Sequence, residues 1–568
     1  MKAYTCTAAV AGSQYSTDPP VSSSWNLYSG SIRYCRQHMH GPSKFITRLC
    51  GRWSNHQAPD NPKQGSDTNR FFLARWLMLR FLGAVFLIAF ISYWLQVDGL
   101  VGSRGLLPVD QFLDRAREQL SGHSGYWLLP TLSWLSPTDT MLHWQCALGV
   151  VGAILLIANV ASKIVLMGLW ALYLSLTVAG QMFFHFQWDV LLLETALTLM
   201  FITSWNWRPA LGRDRMPSAL GLLLVRLLLF KLLFLSGITK LLSGDPTWQD
   251  LTAMDYHYFT QPIPTWTSWH MQQLPAILQK VSVVVMLAIE LIVPFLIFGP
   301  RSWRHLAGIL VIGLQVMITA TGNYGFFNLL TAGLCICLFD DQFWRRLWPG
   351  PPYKQSLAHP LPATRLPHWW QHMRTTLATA FILLSILAIP REMVRTYWGR
   401  QRLWAEAIFA PLEWITPLRS INGYGLFRVM TTQRPEWIIR GSADQMTWHE
   451  YEFRYKPGSL DRSPSFIGPH MPRLDWQMWF AALNPPGHRH LLHSLMMHLF
   501  EGHPATLKLL ADNPFSRQPP AYLQMVLFKY EFTDRSTRRE TGRWWTRQQI
   551  GQSDVWVRSL SNSPANRQ

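Results

Sequence analysis

Residues 222–242 read LLLVRLLLFKLLFLSGITKLL, an apolar run broken by charge only at Arg226, Lys231 and Lys240. Crossing a bilayer takes about 20 mostly apolar residues, so this stretch is expected to be the body of a transmembrane helix over 219–242. Working outward, similar runs stand at 71–95, 141–161, 163–183, 187–205, 281–298, 303–321, 324–340 and 374–390. The chain therefore reads as an α-helical polytopic transmembrane bundle of about nine spans.

Composition agrees. Of the 568 residues 49% are hydrophobic and 15% charged, well below the roughly 25% charged of a soluble domain. With 29 tryptophans there is too much apolar surface for bulk disorder. Mean hydropathy is +0.06, an average of apolar runs and polar stretches. The net charge, 51 − 32 = +19, could suggest nucleic acid, but loops on the cytoplasmic side of a membrane also collect Lys and Arg. Here Arg48, Arg52, Lys63 and Arg70 precede the first span. Alternation then places Lys163, Arg208, Arg213, Arg215, Arg301, Arg304, Arg345 and Arg346 on that same side. Loop 243–279, which has no Lys or Arg, falls on the other. The expected orientation is a cytoplasmic N-terminus and an outward or lumenal C-terminus, with no nucleic-acid partner. Arg391, Arg395, Arg400 and Arg402 conflict with it, since they follow the last span on the outer side.

Four regions are expected: a polar, disordered tail over 1–70, the bundle over 71–400, an interfacial linker over 401–419 and a soluble domain over 420–568. In the last, 425–432, 436–441, 449–456 and 521–532 are rich in aromatic and β-branched residues between turn formers and read as strands. Segments 473–483 and 488–501 read as helices. This gives a smaller mixed α/β, β-rich domain.

Charge inside the membrane is costly and calls for partners. Asp189 and Glu194 lie in the 187–205 span, Arg226, Lys231 and Lys240 in the next, and Glu290 in the sixth. Antiparallel packing is expected to set Asp189 near the depth of Lys240, and Glu194 near Lys231. These pairs either hold the bundle together or line a polar cavity with Lys240 at its lip. The following loop opens on the turn Ser243, Gly244, Asp245, Pro246 and Thr247. It continues through Trp248, Tyr256, His257, Tyr258, Gln261 and Pro262 to Trp266 and Trp269, aromatic residues that suit a membrane interface. It is the candidate outer functional motif.

The strings QWDVLLLE (187–194), SGDPTWQDLTAMDYHYFTQPIPT (243–265), TGNYGFFNLLT (321–331), NGYGLFRVMTTQRPE (422–436), WHEYEFRYKPG (448–458) and PHMPRLDWQMWFAAL (469–483) resemble the lipase maturation factor family. The likeness runs from about residue 71 to 550. Met471 and Phe259 depart from the family pattern, where Gln and Glu are usual. The resemblance implies a polytopic membrane protein that assists folding or assembly of secreted lipases. In animals this takes place at the endoplasmic reticulum, with the C-terminal domain lumenal; a bacterial chain would sit in the cytoplasmic membrane. A shorter likeness, FKLLFLSGITKLLSGDPTW (230–248), is to DoxX-like proteins and vitamin K-dependent gamma-carboxylases. It implies an alternative in which Lys240 is a catalytic base. A third alternative is a transporter with Glu194, Lys231 and Glu290 along its path.

Other chemistry lacks a motif. His488, His490, His493, His498 and His503 cluster, but the HExxH arrangement fails at Ser494 and Met497, so no metal is expected. No phosphate-binding glycine loop and no GxSxG are present, so neither a cofactor nor a lipase nucleophile is expected. The cysteines (6, 35, 50, 146, 335 and 337) include no CxxC, and none follows Cys337. Any maturation activity is then expected to work without thiol exchange. Trp476, Trp479 and Phe480 are candidates to grip an exported client, with ordinary core as the competing reading.

Overall fold

The computed structural model describes residues 70–120, 124–208, 214, 216–347, 368–398 and 403–558. The expected tail lies outside these residues apart from Arg70, as do Arg213, Arg215, Arg400 and Arg402. Among the described residues, seven helices are long and apolar enough to cross a membrane. They are α1 (Phe72–Trp94), α2 (Asp139–Ile157), α3 (Ser162–Ala179), α5 (Ala219–Leu242), α6 (Ala276–Leu291, prolonged to Leu296), α7 (Arg301–Thr321) and α9 (His368–Trp398). The expected spans 187–205 and 324–340 are shorter. The first is α4 (Gln187–Met200); the second is α8 (Phe327–Leu334) with a 3-10 turn, Cys335–Leu338. Both are wrapped by other helices: Leu191, Leu193, Ala196, Leu330 and Leu334 are fully buried. By contrast Val281, Val284 and Val285 of α6 and Ile309 and Val316 of α7 are about half exposed. That much apolar surface is at home in lipid rather than water, and the protein is an integral, multi-pass membrane protein.

Contacts define two ends of the bundle. At one end, the base, Asp341 accepts from the amides of Phe72, Leu73 and Ala74 at 3.0, 2.9 and 3.4 Å. It supplies the cap that Phe71 cannot give α1. Arg75 there bonds Asp214 at 2.7 Å and the Ile202 carbonyl at 3.3 Å. The opposite end carries the C-terminal domain.

That domain is an antiparallel sheet of order β2-β1-β3-β4, with β5 also on β3. Its strands are β1 (Arg434–Ser442), β2 (His449–Glu450), β3 (Tyr522–Phe532), β4 (Trp545–Gln552) and β5 (Trp556–Val557). Its two longer helices are α11 (Arg473–Leu483) and α12 (Arg489–Glu501), and α10 (Leu403–Ile415) leads in from α9. A single apolar cluster runs from Met78 in α1 through Trp188 and Trp476 to Met525 in β3. The domain is thus fused to the bundle.

The expected strand over 425–432 is irregular, because its backbone groups go elsewhere. Phe427 takes φ 52, its carbonyl accepts from the Trp248 indole at 3.0 Å, and the Met430 amide donates to Asp245. The expected strand 449–456 shrinks to two residues: further on, the amides of Tyr455 and Lys456 bond Asp475 instead of a ladder. Strands β4 and β5 were not anticipated. WTRQQIGQ has no apolar alternation, since most of β4 faces solvent.

Candidate functional site

The charges expected inside the bundle divide into three buried outer groups and one isolated cation. Asp189, in the first turn of α4, is fully buried. Arg473, at the start of α11, grips it with two bonds, at 2.9 and 2.8 Å, and the Tyr173 hydroxyl donates to it at 2.5 Å. The Arg473 guanidinium lies 3.6 Å from the Phe184 ring centroid. This forked geometry suits Arg and carboxylate. It corrects the expected match of Asp189 with Lys240: the partner comes from the C-terminal domain, 284 residues along the chain and invisible to helix-depth reasoning.

Glu194 and Lys231 do pair, and both are buried. The same carboxylate accepts from the Tyr424 hydroxyl at 2.8 Å and from the Asn422 amide and side chain, each at 3.1 Å. Lys240 pairs with Glu290 at 2.7 Å, donates to the Ser236 carbonyl at 3.0 Å, and lies 5.4 Å from the Trp248 ring centroid. Gly237 permits this crossing: a Cβ there would come within 2.9 Å of the Glu290 and Leu291 side chains. Arg226 belongs to none of these groups; its guanidinium faces Phe71 at the base, 5.5 Å from the ring centroid.

The loop after α5 is a bracket. Ser243 bonds the Lys240 carbonyl at 2.8 Å, and Gly244 takes φ 73, the left-handed turn that glycine tolerates. Asp245 then caps the short helix Pro246–Gln249 through Thr247 at 2.8 Å, with Pro246 in its first turn. His257 faces the Tyr324 hydroxyl at 3.0 Å, and that hydroxyl donates to Gln261 at 2.8 Å. Burial, then nearby Lys240, pushes the His257 imidazole down to about 4. Tyr258 is buried, and Tyr256 packs beside Trp248. Arg434 of β1 reaches the carbonyls of Phe259, Gln261 and Pro262 while pairing with Glu436 at 2.7 Å. Trp269 donates to the Thr533 carbonyl at 2.9 Å. The loop is therefore an inner layer between bundle and sheet.

The candidate client-gripping residues lie in that same layer. Trp476 and Trp479 are 4% and 5% exposed and Phe480 is half-buried. Trp476 meets Trp188 edge-on at 4.7 Å, and Trp479 donates to the Thr260 carbonyl at 2.9 Å. They are core, because α11 is covered on one side by α4 and on the other by β1. Lys240, the candidate base of the enzymatic alternative, is likewise buried and ion-paired. Of the histidines of 488–503, His488 meets the Asn484 carbonyl, His493 the Trp556 ring and His498 the Thr506 hydroxyl, while His498 and His503 stack at 4.8 Å. Sequence reasoning missed Arg473, Asn422, Tyr424 and Asn323. Asn323 donates to the Ile263 and Ser465 carbonyls at 3.2 and 2.8 Å and accepts from the Ile467 amide at 2.9 Å. The available signal was a carboxylate without a nearby cation, Asp189, and an Arg inside the string PHMPRLDW.

Comparison with known proteins fits this geometry. Residues 73–346 match the lipase maturation factor transmembrane domain, and 420–554 match the lipase maturation factor C-terminal domain. Lipase maturation factor 2 of Homo sapiens is 35% identical over 84% of this chain and 82% of its own length. The chain belongs to the lipase maturation factor family. Lipase maturation factor 2 of Gallus gallus is 34% identical over 84% of this chain, and lipase maturation factor 1 of Mus musculus 33% identical over 85%. No solved structure matches. In this member of the family, the strings 187–194, 243–265, 321–331, 422–436 and 469–483 all meet at the junction of bundle and C-terminal domain. Their chemistry is that of a joint.

Proposed function

We propose that this protein is a membrane-embedded maturation factor that assists folding or assembly of secreted lipases or similar exported clients, without thiol chemistry. Membership of the family carries the reading. The joint supports it, because a domain held rigidly above one membrane face suits scaffolding of a client. The described cysteines, Cys146, Cys335 and Cys337, are all buried in the bundle. The proposed regions are a tail over 1–70, a bundle over 71–400, a linker over 401–419 and a soluble domain from 420.

In the proposed topology the base is cytoplasmic, the C-terminal domain is lumenal or outer, and the chain crosses nine times. Lys163, Arg208, Arg301, Arg304, Arg345 and Arg346 near the base support this sidedness. Two contacts support α4 as a crossing: Asp189 bonds the C-terminal domain, and the Ile202 carbonyl just past the helix bonds Arg75 at the base. Asn323 and Asp341 bracket α8 in the same way. Of the outer arginines, the two described ones meet carboxylates, Arg391 with Glu413 and Arg395 with Glu392. A eukaryotic source implies the endoplasmic reticulum membrane, a bacterial one the cytoplasmic membrane.

Single cysteines at exposed His270, Ser516 and Arg346, in a background without native cysteines, test the topology. A membrane-impermeant thiol reagent should label His270→Cys and Ser516→Cys from one side and Arg346→Cys from the other. Labelling of Ser516→Cys with Arg346→Cys would reverse the domain. For function, the chain is co-expressed with a secreted lipase in cells lacking their own maturation factor. Secreted specific activity should rise, and an unchanged value across several lipases would remove the proposal.

A further inference from the structure

The base holds more positive charge than its acids neutralise. Buried Asp340 is shared by Arg301 at 2.5 Å, His305 at 3.2 Å and Arg304 at 3.8 Å. Asp341 is occupied by the α1 amides. Arg226 has no acid partner among the described residues, and its buried Nε has no acceptor. Arg304 donates through Nε to the Leu338 carbonyl at 2.7 Å, while its buried Nη2 has no hydrogen-bond acceptor. The two guanidinium groups lie against one ring, 5.5 and 5.4 Å from the Phe71 centroid. Such crowding of like charge, between half-buried Arg226 and buried Arg304 with donors left unmet, calls for an anion.

The position of Arg226 indicates which anion. It stands seven residues into α5, about 10 Å above the basal start of that helix at ~1.5 Å per residue. Helical side chains tilt toward the N-terminus, so this one reaches back to the level of Phe71, at the start of α1. Its charge is thereby delivered to the height where headgroups meet acyl chains. Beside Arg304, Trp303 is 52% exposed, an indole suited to that interface. We propose that Arg226 and Arg304, over Phe71, bind the phosphate of an anionic phospholipid headgroup at the basal leaflet. The phosphate oxygens accept from the free guanidinium N–H groups as charge-assisted bonds. The acyl chains lie along the exposed apolar flank of α7, where Leu306 and Ile309 face outward. The proposal requires only that the base lies at a membrane face, whichever compartment it meets and whatever the client.

The full chain, purified in neutral detergent, is titrated with phosphatidylglycerol, phosphatidylcholine or inorganic phosphate while its thermal midpoint is followed. Phosphatidylglycerol is expected to raise the midpoint saturably, and the other two to leave it unmoved. Arg226→Gln is expected to weaken the apparent phosphatidylglycerol affinity roughly tenfold, the size of one lost charge-assisted contact. Exposed Arg346→Gln should leave it unchanged. If Arg226→Gln does not fold, Arg304→Lys, which keeps charge but loses the fork, is expected to weaken it instead. Equal stabilisation by phosphatidylcholine, or by inorganic phosphate alone, overturns the site. So does an Arg226→Gln, or in its place an Arg304→Lys, that responds to phosphatidylglycerol like Arg346→Gln.

Discussion

The two ends of the bundle handle buried charge in opposite ways. At the outer end the described carboxylates sunk in the helices each have a tailored partner, and three of the four, Asp189, Glu194 and Glu392, take partners from beyond residue 420. At the base, Asp340 serves two arginines and a histidine, and Arg226 has no acid partner among the described residues. Buried ion pairs contribute little net stability, because desolvation offsets their attraction, but removing one partner is costly. The outer end therefore reads as a registry device that fixes where the C-terminal domain sits, and the base as a surface left open to its surroundings.

The largest expected effect tests that registry directly. Arg473→Met leaves Asp189 buried with only the Tyr173 hydroxyl, and should cost about 3–5 kcal/mol in denaturant unfolding in detergent. The double variant Asp189→Leu/Arg473→Met should recover most of the loss. A single variant within about 1 kcal/mol of the parent, a surface-like value, would break the comparison.

Next is the Lys240–Glu290 pair, which lies wholly within the bundle and its loop. Lys240→Met should cost about 3 kcal/mol, the lower end for breaking a buried ion pair, because Glu290 is less deeply buried than Asp189. A Lys240→Met/Glu290→Leu chain should be closer to the parent than Lys240→Met alone. Were Lys240 a catalytic base, the double variant would restore the fold but not the activity. Recovery of lipase maturation along with stability would support a structural role.

A smaller effect comes with pH. The His257 imidazole is held down to about 4 by burial, then by Lys240, against about 6.5 in an unfolded chain. The unfolded state thus binds more protons between these values. The contribution is complete above pH 6.5 and falls away as pH drops toward 4. At about pH 5.5 the loss should be about 1 kcal/mol relative to neutral pH. His257→Phe should flatten this window while leaving other slopes in place, and identical slopes for the two chains would show that the imidazole is not sequestered in the joint.

Much of this was legible in advance for a physical reason. Long apolar runs such as 222–242 report helices whatever surrounds them, and the pairing of Glu194 with Lys231 followed from two adjacent antiparallel spans. Helix 473–483 was also legible, but not the fate of its aromatic face. Whether Trp476 meets a client or Trp188 depends on what lies above the bundle, and one chain's periodicity is silent on that. The same holds for 425–432, whose strand-like composition lost to the pull of Trp248 and Asp245 on its backbone. Contacts distant in sequence decided both of these misses, whereas β4 was missed because most of it faces solvent and carries no apolar alternation.

The finest test concerns the rim of the joint. The Trp269 indole donates to the Thr533 carbonyl at 2.9 Å, and its ring lies 4.4 Å from the Arg538 guanidinium. Trp269→Phe deletes the donor and keeps an aromatic surface for the cation. The carbonyl is not stranded, because Gln273 also donates to it at 3.2 Å. Without an orphaned acceptor the cost should stay near the net value of one neutral hydrogen bond, about 0.5–1.5 kcal/mol. Gln273→Ala alone should cost less, and the double variant more than the two singles combined, because only then does the carbonyl lose both donors. Additive costs would mean that water already reaches this carbonyl. The dry outer joint would then end inside Trp269, with only the Asp189 and Glu194 groups left to set the register.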